Sequence, residues 1–268
     1  MSSLLTTLPA KERRGSRARC VMLTHGSQQQ VADRLNALVA PHAAVQPGRH
    51  VWAPKGFLDA AEARLGESPA FLSAQDRETV SNWWLAVRSA RANTPNWDIV
   101  SQATIEGREG LILVEAKAHG EELEKEEAGK RPRPAASANS RKNHEQIGTC
   151  IDEANEALRK ATGLDWRLSR NSCYQMSNRF AWAWKLADMQ VPVVLVYLGF
   201  LKAEEMRDRG TVFTREEDWD GLVKSHSAAL FPEQVWGRAW DLKNGTRLIP
   251  LIRSLEWPLR DMSGEAEA

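Results

Sequence analysis

Asn96-Trp97-Asp98-Ile99-Val100 opens a stretch that runs through Leu113-Val114-Glu115-Ala116-Lys117 and decides how the chain is read. Ile99 to Ile105 is a β-compatible run and Leu111-Ile112-Leu113-Val114 is a second. Between them, Glu106-Gly107-Arg108-Glu109-Gly110 carries the turn residues of a hairpin. A turn centred between Gly107 and Arg108 puts Asp98 opposite Lys117 and Val100 opposite Glu115. Because side chains alternate along a strand, Glu115 and Lys117 share that face, with Asp98 on the diagonal from Glu115, roughly 7–8 Å away. Two carboxylates so placed can share a hard cation. Mg²⁺ would take them with the carbonyl of Ala116 and a substrate phosphate, and Lys117 would lie beside the attacking water, an arrangement suited to phosphodiester hydrolysis.

The hairpin with Asp98 and Glu115-Ala116-Lys117 resembles the core of the PD-(D/E)xK nuclease superfamily, the restriction-endonuclease-like fold. The chain departs from the pattern at Trp97, which stands where a proline often precedes the first acid. Asp241-Leu242-Lys243 repeats the acid-x-lysine spacing but abuts an Asn244-Gly245 turn with no apolar strand before it, whereas Lys117 ends an apolar run. The resemblance implies an α/β fold with a central mixed β-sheet flanked by helices, carrying N- and C-terminal elaborations. It covers about residues 73 to 200.

With 268 residues and 42% hydrophobic content, the chain can bury a sizeable core. Lys+Arg 36 against Asp+Glu 35 leaves a net charge of +1, so a nucleic-acid surface must come from local segregation of charge. Cys20, Cys150 and Cys173 are odd in number and far apart, which suits a reducing compartment. The longest apolar run, Val191 to Leu201, contains Pro192 and is too short to span a bilayer, and the N-terminus lacks a signal-peptide core. The expected location is cytoplasmic, with no membrane association.

Residues 1–20 read as a basic flexible tail, or more sharply as an arm adding phosphate contacts, and residues 21–268 as one nuclease-like domain. Helices are expected over Gln28 to Val39, over Phe57 to Leu65, and from the Ser73 cap to about Arg91. The resemblance implies a further acidic metal ligand on the helix before the sheet. Glu78 is the candidate and Glu62 the alternative, against the ordinary reading of solvated surface glutamates. Gly120 to Lys142 reads as a long mobile loop, acidic at its start and basic at Lys130, Arg131, Arg133, Arg141 and Lys142. That basic half is either a phosphate clamp or a solubilising insertion.

A helix over Asn143 to Lys160 follows, on which the resemblance implies a site-facing glutamine, matched by Gln146. An ordinary surface glutamine fits as well. Another helix runs from about Ser172 to Met189, its apolar side interrupted by Asn178 and Arg179, for which hydrogen bonding near the core is favoured over a phosphate contact. Val191 to Leu198 then reads as a strand covered on both faces.

The sequence therefore leads to a metal-dependent DNA endonuclease of restriction, defence or repair type, of a size that suits a stand-alone enzyme and is compatible with a homodimer cutting both strands. Asp98, Glu115 and the lower-ranked Glu78 would bind Mg²⁺ or Mn²⁺, Lys117 would position the water, and Gln146 would assist. Two rival readings stand beside it: a non-catalytic nucleic-acid-binding or assembly module on the same fold, and a purely structural hairpin whose charges form an ion pair.

Overall fold

The two runs flanking Glu106-Gly107 pair as an antiparallel hairpin, β4 (Ile99–Ile105) with β5 (Arg108–Lys117). The computed structural model describes residues 4–88, 94–125, 129 and 135–259. Glu106 and Gly107 both adopt positive φ, 48° and 80°, and form a two-residue connection whose twist matches the strands it joins. This turn is tighter than the expected one and moves the register by two residues. Val100 lies opposite Leu113, and continuing the ladder sets Asp98 directly opposite Glu115. A slip of two keeps every side chain on its expected face.

β5 is parallel to β6 (Val193–Leu201), which is parallel to β8 (Arg247–Glu256). Short antiparallel strands close both ends, β1 (Trp52–Ala53) beside β4 and β7 (Trp240–Asp241) beside β8, in the order β1-β4-β5-β6-β8-β7. The structure is thus α/β, with a mixed six-stranded sheet. The final strand corrects the expected core boundary near residue 200: β8 is internal to the sheet and pairs with β6 from Val193 to Leu201.

Helices cover both faces, which is why β5 and β6 are apolar without alternation. One face packs Val100, Leu113, Leu195 and Tyr197 against α3 (Ala74–Trp84), α5 (Ala138–Thr162), α6 (Tyr174–Asp188) and α7 (Glu216–Ser227). The other packs Ile99, Ile112, Val114 and Val196 against α1 (Gly15–Leu23) and α2 (Gln28–Val39). At Gly199 of β6 a Cβ would stand 2.4 Å from the Trp219 ring, so only glycine lets α7 settle this closely. Among the described residues, no helix is long and apolar enough to cross a membrane.

Three local expectations are corrected. Residues Gly15–Leu23 form α1 rather than a tail: Ala18, Cys20 and Val21 enter the cores, and Arg19, 1% exposed, donates to Glu205 and to the Trp257 carbonyl. Phe57 to Leu65 is not a helix. It contains β2 (Ala63–Arg64), which pairs with β3 (Asn96–Trp97). Within the expected 120–142 loop, Glu121–Glu124 form α4, and Arg141 and Lys142 lie inside α5, begun at the Ser137 cap. Lys130, Arg131 and Arg133 lie outside the described residues.

Candidate active site

Asp98 occupies the break between β3 and β4, where the backbone bends out of the ladder. Its Oδ2 accepts the Ala116 N–H at 2.8 Å, so the side chain satisfies a donor that regular pairing would have used. That bond engages the N–H of Ala116 and not the carbonyl expected to face a metal. Opposite it, Glu115 is 2% exposed. Its Oε1 accepts from Lys117 Nζ at 2.7 Å and from Gln175 Nε2, and its Oε2 accepts from Arg179 Nε at 2.6 Å. Lys117 Nζ also reaches Gln175 Oε1 at 3.3 Å. Arg179 lies over the Trp97 ring, 4.6 Å from its centroid, a cation–π contact beside the carboxylate pair.

The two acids are driven apart electrostatically. Burial, and then the neighbouring Glu115 carboxylate, push Asp98 up to about 7, against the pull of Lys117 and the Ala116 N–H. Burial alone would raise Glu115 as well, but the Arg179 and Lys117 charges and their hydrogen bonds hold it below the usual carboxylate range. Glu115 is therefore a fixed anion and Asp98 one that ionises near neutrality. A divalent cation held by these carboxylates would offset the burial and the Glu115 charge that raise Asp98.

The donor set tests whether such a cation fits. Both groups are hard oxygen donors, and Asp98 opens onto a cleft of about 890 Å³ bounded by α1 on one side and residues 61–69 on the other. Mg²⁺ commonly binds through one or two carboxylates plus substrate phosphates, so the pair suits it. Among the described residues, no group of three or more His, Cys, Asp or Glu side chains is gathered closely enough to hold a metal unaided.

The remaining candidates separate. Glu78 is exposed on α3, and it is Glu62, the alternative, that stands by the site. Extending the β2–β3 register sets Glu62 opposite Asp98, where it lines the same cleft, accepts from Asn96 Nδ2 at 2.9 Å and faces Arg17 at 3.4 Å. Gln146 is placed away from the carboxylates: its Nε2 donates to the Trp83 carbonyl at 2.8 Å and ties α5 to the end of α3. The glutamine beside Glu115 and Lys117 is Gln175 of α6, one turn before Arg179. The spacing of Gln175 and Arg179 on a helix with an otherwise apolar side was the available signal, since two polar groups four residues apart share one helical face.

Comparison with protein-family models, curated proteins and solved structures finds no match to this chain.

Proposed function

We propose that this protein is a metal-dependent nuclease of the PD-(D/E)xK, restriction-endonuclease-like type, hydrolysing phosphodiester bonds in DNA as an endonuclease of restriction, defence or repair. The observation that carries this reading is the pairing of Asp98, at the break before β4, with Glu115 of β5 and with Lys117 on the same face as Glu115, one acid locked as an anion and the other ionising near neutrality. The element order adds support: helix, hairpin, helices and then a buried strand build the central mixed sheet flanked by helices that the resemblance implies.

Asp98 and Glu115 would hold Mg²⁺ or Mn²⁺. That cation supplies charge neutralisation at phosphorus and a more acidic water. Lys117, held by Glu115 and Gln175, presents its ammonium to the attacked phosphate and orients the nucleophile. Arg179 fixes Glu115 from behind, so the carboxylate needs no reorganisation when the substrate arrives.

A second reading, a non-catalytic binding or assembly module, draws on one observation: Glu115 is already engaged by Lys117, Gln175 and Arg179, as a structural buried ion cluster would be. The test is cleavage of supercoiled plasmid and of single-stranded DNA with Mg²⁺, Mn²⁺ or EDTA, alongside Lys117→Ala. The nuclease reading expects metal-dependent cutting that the folded variant cannot perform. Binding without cutting by the wild-type protein would favour the second reading.

A further inference from the structure

We propose that the first two turns of α5, with the residues packed on either flank, form a phosphate-binding surface that holds DNA beside the Asp98–Glu115 site. Arg88, Arg141, Lys142 and Arg170 carry it. The proposal takes DNA from the nuclease reading and adds the surface that grips it.

Contacts of α5 bring these cations together. Asn143 accepts the Val87 N–H at 2.7 Å and donates to the Val87 carbonyl at 2.8 Å, which sets Arg88 against one flank of the helix. Lys142 stands one turn before Gln146, which donates to the Trp83 carbonyl on that same flank. On the other flank, Arg170 Nη1 donates to the His144 carbonyl at 2.8 Å, and the guanidinium lies over Gly148, where a Cβ would stand 2.7 Å from Nη1. Arg141 shares the stripe of His144 and Gly148, three and seven residues on. The surface adjoins the site, because α6 begins at Tyr174 just beyond Arg170 and Gln175 in its first turn holds Glu115 and Lys117.

No carboxylate among the described residues neutralises these cations. Arg88 Nη2 donates to the Glu78 carbonyl at 2.9 Å, Arg141 Nη1 to the Ala136 carbonyl and Arg170 Nη1 to that of His144. Each guanidinium is thus steadied through one nitrogen by an uncharged backbone oxygen, and its other N–H groups stay open to an outside acceptor. Other surface cations are spoken for: Arg167 meets Asp165, Arg215 meets Asp218 and Lys224 meets Asp220. Arg88, Arg141 and Lys142 are exposed and Arg170 is half-buried; together they outnumber Glu78 and Glu145, the acids on the same stretch. With a net charge of +1 overall, this is the local segregation of charge that binding a polyanion needs. The placement also runs against the needs of α5 itself. Its first turn holds no acid, and Arg141 and Lys142 stand near its amino terminus, where the helix dipole already favours anions. Cations there weaken an isolated helix and add to its pull on phosphate, whose oxygens match a guanidinium fork.

The experiment is fluorescence anisotropy of a labelled DNA duplex with the full-length protein in Ca²⁺. Wild type is compared with Arg141→Gln, with Lys142→Gln and with Lys243→Gln, which removes an exposed cation at the turn between β7 and β8. Both α5 variants should keep or exceed the wild-type Tm, since each takes a positive charge from the positive end of a helix. Each should bind DNA about eightfold more weakly at about 0.1 M salt and lower the slope of log affinity against log salt by about 0.9, the counterion release for one duplex phosphate. Lys243→Gln should change neither. Wild-type protein that binds no duplex, α5 variants with unchanged affinity and slope, or an equal loss in Lys243→Gln would overturn the proposal, whether or not the protein cuts DNA. Binding that depends on Arg141 and Lys142, without metal-dependent cutting, would retain the surface and remove the nuclease reading.

Discussion

Replacing Asp98 by Asn should stabilise the metal-free protein at alkaline pH, an unusual outcome for a substitution in a catalytic site. An unfolded aspartate ionises near 3.9, whereas in the folded protein burial and Glu115 raise Asp98 to about 7. A folded-state pKa above the unfolded one gives stability that is complete below about pH 4 and is lost as pH rises through about 7. Three pH units correspond to about 4 kcal/mol, which we halve to about 2 kcal/mol because the carboxylate opens onto the cleft and water screens it. Asparagine keeps an oxygen for the Ala116 N–H and carries no charge, so it escapes this loss. At pH 8 the gain of about 2 kcal/mol should appear as a rise in Tm of about 4 °C for a chain of this size. At pH 5, where folded Asp98 is largely protonated, the gain should fall to about a third. The assay is thermal unfolding of both proteins in EDTA at the two pH values. Equal Tm differences at pH 5 and pH 8, or a destabilised variant at pH 8, would refute the electrostatic argument.

Arg179→Met should cost about 3–5 kcal/mol in chemical denaturation, because it leaves the buried Glu115 carboxylate without one of its two cations. Gly199→Ala drives a methyl into the Trp219 ring and should cost about 1–3 kcal/mol or more, with a red-shifted tryptophan emission as α7 lifts. Glu62→Gln should weaken Mn²⁺ binding measured by calorimetry, whereas Glu78→Gln on the exposed face of α3 should leave it unchanged; the reverse pattern would return Glu78 to the site.

Much of the hairpin is legible in the sequence because its signals are local. The apolar runs and the Gly107 turn specify two strands, and period-two alternation fixes which residues share a face. The observed register differs from the expected one by two because Glu106 adopts a left-handed conformation that a glutamate does not advertise, yet an even slip leaves Asp98, Glu115 and Lys117 together. What is not legible comes from elements remote in the chain. Glu62 reaches Asp98 through the two-residue strand β2, too short to leave a periodic pattern. Gln146 and Gln175 both follow the hairpin on amphipathic helices, and only packing decides that α6 presents its glutamine to Glu115 while α5 spends its own on the Trp83 carbonyl. The basic N-terminus reads as a solvated tail because its charges mask Ala18, Cys20 and Val21, the residues that bury α1.

The most direct test of the account is Mn²⁺ binding to the nucleic-acid-free protein, followed by the loss of the free-ion electron paramagnetic resonance signal at pH 8 and at pH 6. The carboxylate pair predicts saturable binding at pH 8, weakened at pH 6 as Asp98 takes up its proton, and abolished in Asp98→Asn. Wild-type binding that is absent at both pH values, or that survives unchanged in Asp98→Asn, would contradict the claim that Asp98 and Glu115 form a divalent-cation site.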